Sequence, residues 1–198
     1  MHPFHFCDVT VYGFHGFNIQ VRNQILSGYK NFMTSTNVYD WLGAGVYFWE
    51  NDFLRALDWA VKRYGEDAAV IGAKIDLGNC FDISNSYAKD ILKISYGLML
   101  EDLQDSHSSI PTNKPHPHGQ GNPADMVLRN LDKAVIEYAL VVADSLEPHT
   151  IYDTVRAPFQ EGFPVYPGSA FREHDHIHLC VRNPNLLTNL FDPDKYID

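Results

Sequence analysis

Histidine is the residue type through which this chain first suggests chemistry. His174, His176 and His178 alternate near the C-terminal end, so on a strand they share one face. Such a row could hold a metal, but no fourth ligand follows at a recognisable spacing. His15, just before Gly16, closes a stretch of β-branched and aromatic residues. A histidine there can bond a ligand hydroxyl, or it can sit in the core satisfied by backbone. Tyr47 stands in Gly43-Ala44-Gly45-Val46-Tyr47-Phe48, a glycine hinge running into an aromatic strand. Aromatic rings beside glycines suit the stacking wall of a cleft and equally a β-rich core. Gly43-x-Gly45 lacks the third glycine of a dinucleotide fingerprint and enters a strand, not a helix. Cys180 lies on one strand with the histidines and has no positioned acid, so a thiol protease site is not indicated. His116 and His118, in a Pro-rich loop, and His149 are expected to face water.

The elements that must position these residues follow from periodicity and punctuation. A strand is expected over Asp8–Phe14, ending at His15-Gly16, then a short helix over Asn18–Leu26 that stops before Ser27-Gly28. Met33–Trp41 is turn-rich. A short strand follows Gly43 and Gly45. Asn51 or Asp52 can cap the next helix, which carries Phe53, Ala56, Leu57, Ala60 and Val61 and ends near Gly65. Ala68–Leu77 alternates as a strand. Ser84–Leu103 and Pro123–Ala143 read as helices, and 105–122 between them as an exposed loop insertion. Strands are expected at Thr150–Arg156 and His176–Val181, joined by the loop Gln160–Glu173. Strands at both ends imply an α+β fold whose sheet pairs sequence-distant segments, in one domain spanning 1–198.

The chain has 198 residues, 45% hydrophobic and 20% charged, which is ordinary for a folded domain. Its formal charge of −10 disfavours broad contact with phosphate backbones. Cys7, Cys80 and Cys180 are odd in number and far apart, so a disulfide scaffold is not expected and a reducing, cytoplasmic setting is. The first eight residues carry no basic stretch leading into an apolar one, and no apolar run is long enough to span a bilayer.

Tyr12-Gly13-Phe14-His15-Gly16 and Gly43-Ala44-Gly45-Val46-Tyr47-Phe48, in that order, resemble the first two motifs of poly(ADP-ribose)-polymerase-like ADP-ribosyltransferases. Ile177-His178-Leu179-Cys180-Val181, with Leu186-Leu187 beyond, resembles the strand of the family's third motif. The approach Tyr39-Asp40-Trp41-Leu42-Gly43 is similar to that of bacterial members of unassigned role. The resemblance implies an ADP-ribosyltransferase fold, with split mixed or antiparallel sheets around an NAD+ cleft and flanking helices. It implies that His15 bonds the adenine-side ribose, that Gly16 meets the carboxamide through its backbone, and that Tyr47 stacks on nicotinamide, its angle set by Gly43 and Gly45. His15 and Tyr47 are thereby expected to face one another across a single groove.

Three departures accompany the resemblance. His178 stands where the transferase glutamate would, and a neutral histidine offers no negative charge to a developing oxocarbenium ion. Glu161, beside Gly162 in the loop that carries this fold's target-recognition turn, is the favoured substitute, with Glu173 the other. Arg55 and Asp58 occupy the positions of the family's serine and second tyrosine, leaving Trp49 or Trp59 to supply the missing wall. Arg55 or Arg156 could meet the pyrophosphate, although Arg55 also reads as a solvated helix residue. Thr34, Ser35 and Thr36 either line the cleft or merely turn the backbone. The implied activity is mono-ADP-ribosylation of a protein, or less readily a nucleic acid, by a bacterial toxin or anti-phage factor. NAD+ glycohydrolysis and a catalytically silent NAD+- or ADP-ribose-binding module are the alternatives.

Overall fold

The computed structural model describes residues 9–37, 40–118, 121–146 and 151–196. Cys7, Asp8, Tyr39, Gly119, Gln120, His149 and Thr150, on which expectations above fall, lie outside them.

The chain enters through β1 (Thr10–Asn18), which runs past His15-Gly16 and passes directly into α1 (Ile19–Leu26), where Asn18 Oδ1 accepts the Gln20 N–H. Then come β2 (Val46–Glu50) and α2 (Phe53–Tyr64). Asp52 caps α2 by accepting the Arg55 N–H at 3.0 Å, and Gly65, at φ +59°, ends it. β3 (Ala68–Asp76) and β4 (Cys80–Asp82) lead to α3 (Ser86–Asp105), which Asn85 caps through the Ala88 N–H. The two-residue strands β5 (Asn113–Lys114) and β6 (Leu128–Arg129) pair with each other just before α4 (Asn130–Leu146). β7 (Thr154–Phe159), β8 (His176–Val181) and β9 (Leu187–Phe191) complete the order.

Seven strands form one mixed sheet in the order β4-β7-β8-β2-β1-β3-β9, parallel only between β4 and β7. The fold is thus mixed α+β, with a small antiparallel ribbon beside the main sheet. β8, from the end of the chain, lies beside β2, from its first quarter. The split sheets that the resemblance implies are not seen: the seven strands form one continuous sheet, although the ladder between β1 and β2 is short and holds only Gly13 with Glu50 and Phe14 with Trp49.

Three differences from the periodicity have physical causes. The helix expected from Pro123 begins only at Asn130, because Asn113 Oδ1 accepts the N–H groups of Leu131 and Asp132 at 2.9 and 3.3 Å and the preceding residues pair as β6. The strand expected over Thr150–Arg156 is shifted to Thr154–Phe159 by its ladders to β4 and β8. β4 and β9 are too short and irregular to announce themselves in the sequence, and pairing with β7 and β3 makes them strands.

The helices α2, α3 and α4 pack on one face of the sheet. There Trp41, Leu42, Ile91, Ile136, Ala139, Val155 and Cys180 form one apolar cluster, and Trp49, Ala56 and Val70 another. The opposite face buries Val46, Phe48, Ile75, Leu179 and Val181 under Phe32, Leu186 and Leu190. Among the described residues no helix is long and apolar enough to cross a membrane.

Candidate functional site

Where the β1–β2 ladder stops, the His15 imidazole takes the place of a backbone bond. Its Nδ1 lies 2.5 Å from the Tyr47 carbonyl oxygen, an acceptor only, so Nδ1–H donates and Nε2 is left as an acceptor. Phe17, Phe32 and Phe48 surround the ring, with centroids 4.3, 6.1 and 5.7 Å away. Burial pulls the imidazole down to about 4, against the raising effect of the Tyr47 bond, so it is neutral near neutral pH. A hollow of about 90 Å³, bounded by His15, Phe17, Phe32 and Met33, opens beside it.

Tyr47 and Phe48 are successive strand residues, so their side chains leave β2 on opposite faces. His15 keeps company with Phe48. Tyr47 joins the helical side, where its ring meets that of His178 at 5.1 Å. His15 and Tyr47 therefore do not front a common groove, and the expectation that they face one another is corrected: His15 touches the backbone of Tyr47 and not its ring. The Tyr47 hydroxyl donates to Gly43 O at 2.8 Å and accepts the Leu42 N–H at 2.9 Å. Burial pushes this phenol far above its usual value, which removes it as an acid or base at ordinary pH.

His178 is half-buried among aromatic rings. Trp49 stacks on it at 5.4 Å, and the Trp41 Nε1–H donates to its Nδ1 at 3.1 Å. Burial first, and then the neighbouring charge of His176, hold its imidazole well below the usual value. His176, stacked on Phe159 at 5.1 Å, is lowered by burial too, while Glu161 opposes the shift. Among the described residues no group of three His, Cys, Asp or Glu is placed to hold a metal ion.

Charge enters this face through Arg55 and Glu161. Arg55, on the first turn of α2, places Nη2 2.6 Å from Glu161 Oε2 and Nη1 3.2 Å from Asp58. The side chain is only 11% exposed, so it is not the solvated helix arginine that its surroundings in sequence permit. Its Nε–H and the Trp49 Nε1–H are buried without a hydrogen-bond partner among the described residues. Buried donors of that kind are uncommon and are expected to meet something. Two of them, on residues that touch or influence His176 and His178, mark this face as the candidate site.

The remaining candidates fall elsewhere. A Cβ on Gly16 would lie 2.7 Å from Ala56 O and 2.9 Å from the Trp59 ring, so Gly16 lets α2 approach and Trp59 covers it. Gly45 is likewise a packing glycine, pressed against Cys180 and the Val181 backbone, so its Cα face is closed to a ligand. Thr36 is exposed in the loop before β2, while Ser35 and Asn37 bond Asp40, the turn-forming reading of this stretch. Arg156 is forked onto Glu50 at 2.6 and 2.8 Å and bonded to Asp82, which leaves it poorly suited to a pyrophosphate. Glu173 accepts the Phe163 N–H of its own loop at 3.3 Å.

Sequence reasoning passed over Trp41, His176 as a neighbour of Glu161, and Arg129. The alternation of His176 with His178 was a visible signal. Arg129 had none: β6 sets its guanidinium 4.4 Å over the Trp41 ring and 4.2 Å over Phe159. No family model, no curated protein and no solved structure matches this chain, so the geometry of the site itself carries the functional reading.

Proposed function

We propose that the chain binds NAD+ against the β2–β8 face and transfers its ADP-ribose to a macromolecular acceptor, as a mono-ADP-ribosyltransferase of the fold its motifs resemble. The observation that carries this reading is the Arg55–Glu161 pair beside His176 and His178, with unmatched donors on Arg55 and Trp49. In the reaction the bond from ribose C1′ to nicotinamide breaks, its electron pair leaving with nicotinamide. A nucleophile on the acceptor then bonds C1′ and gives up its proton. A carboxylate near C1′ steadies the positive charge in between. His178 is neutral and cannot do this, so the role passes to Glu161.

In the ground state Arg55 neutralises Glu161. A pyrophosphate oxygen accepting from the Arg55 guanidinium would compete with Glu161 and free the carboxylate for the ribose. Ala56 O and Ala60 close the Cα face of Gly16 along with the Trp59 ring, so the carboxamide would have to be held elsewhere on this face. His15 Nε2 can accept a ribose hydroxyl proton only from the other side of the parting, so the dinucleotide would span β1 and β2 rather than lie in one groove. The net charge of −10 favours a protein acceptor over nucleic acid.

The same pair favours a second reading: a module that binds NAD+ or ADP-ribose and never frees Glu161 to act. Incubation with labelled NAD+ and lysate separates the readings. Label on a macromolecule, abolished in Glu161→Gln with NAD+ affinity kept, supports transfer. Free ADP-ribose alone means hydrolysis, and binding without turnover means the module. No NAD+ binding at millimolar concentration refutes all three.

A further inference from the structure

A cleft of about 490 Å³ opens between α3 and α4 and is floored by β7, adjoining the site described above through Trp41 and Arg129. Its walls are mostly apolar: Leu92 from α3, Ile136 and Val135 from α4, and Ala157 from β7. A cleft of this size with predominantly apolar walls and a few placed polar groups is the usual form of a small-molecule site.

The charged groups here are mainly cationic. Arg129 stands at the head of α4, 20% exposed along its side chain, and Lys89 and Lys93 stand one turn apart on α3. Asp132 is the acid in the lining, with Oδ2 3.6 Å from Arg129 Nη1, and Lys93 is itself paired with Asp90 outside the cleft at 2.9 Å. A cationic rim is unexpected in a chain of net charge −10, where diffuse attraction would favour cations elsewhere.

Arg129 is held in place and is not a loose surface group. The β5–β6 pairing fixes its backbone, its Nε–H donates to Met126 O at 3.3 Å, and its guanidinium is stacked on Trp41 and Phe159. Burial lowers the guanidinium from its usual value, and Asp132 opposes the shift. The fixed cation at the mouth suits an anionic head, and the apolar walls would take a compact hydrophobic body.

We propose that this cleft binds a small amphipathic organic anion, its carboxylate or sulfonate on Arg129 and its apolar body between Leu92 and Ile136. The proposal is independent of NAD+ chemistry. Trp41 lines the cleft on one side and bonds His178 on the other, so an occupant would also be felt at the candidate site.

Binding of anilinonaphthalene sulfonate to the full chain, followed by fluorescence and competed by naphthoate, tests it. The expected result is one saturable site per chain, with naphthamide, the uncharged analogue, at least about tenfold weaker than naphthoate. Arg129→Gln should weaken the probe about tenfold. Val135→Trp, which fills the cleft without removing a charge, should abolish binding. The surface pair Lys89→Gln and Lys93→Gln carries little folding risk and should weaken it several-fold. Affinity unchanged in Val135→Trp and in the lysine pair overturns the proposal, as does a stoichiometry well above one. A dimer that masks the cleft and takes up no probe overturns it too, by making a second copy the occupant.

Discussion

The two faces of the sheet treat their central histidines differently. On the Phe48 side, His15 spends its proton on the Tyr47 carbonyl and fills the place where a strand ladder stops. On the helical side, His178 accepts a hydrogen bond from the Trp41 N–H and lies near a charged pair and two unmatched donors. The first histidine closes a gap in the structure, whereas the second sits where the structure leaves hydrogen bonds unmade. Unmet donors are a better guide to chemistry than a histidine with its partner already in place.

The largest effect that can break this contrast concerns His15. His15→Ala leaves the Tyr47 carbonyl without its donor and opens a void, and should cost about 3 kcal/mol of stability in denaturant titration. A stable His15→Ala protein that had only lost NAD+ affinity would make His15 a ligand residue after all. The pH dependence sharpens the point. The folded imidazole titrates at about 4 and the unfolded one near 6.5, so protons favour the unfolded chain. The contribution of neutral His15 is whole above pH 6.5 and is lost as pH falls toward 4, about 3 kcal/mol in all. His15→Ala should lose that share of the acid sensitivity, leaving the share of His176 and His178. An unaltered pH profile would show that His15 is not buried neutral.

Gly45→Ala comes next. A methyl there meets Cys180 and the Val181 carbonyl, and should cost about 1–3 kcal/mol by overpacking, read from the shift in denaturation midpoint. A neutral result would mean that β2 can move away from β8. Trp41→Phe should cost about 1 kcal/mol and raise the His178 titration seen by NMR, because the lost donor favoured the neutral ring. An unmoved titration would show that Trp41 does not set the state of His178. The smallest effect is at the rim: Lys62→Ala removes an exposed pair with Asp58 and should change stability by less than about 0.5 kcal/mol.

Much of the local structure could be read from residue order. Asp52 caps the helix that follows it, Gly65 ends α2, and the alternation through His176–Val181 marks β8 from end to end. α4 shows where such reading stops. Its first turn is capped by Asn113, across the 105–122 stretch that reads as a plain loop, and no local pattern contains that partner. The site divides in the same way. Tyr47, Arg55, Trp59, Glu161 and His178 were nameable by type. That Arg55 meets Glu161, that Trp59 covers Gly16 and that Gly45 is closed by Cys180 were not.

Residue order, then, determined the elements and their punctuation, because caps, glycine stops and period-two alternation act over a few neighbouring residues. Only the tertiary structure decided that the end of the chain returns beside β2, which face each histidine takes, and which charge neutralises which. Those outcomes depend on strand order and register between segments a hundred or more residues apart, and a shift of one residue would exchange the two faces.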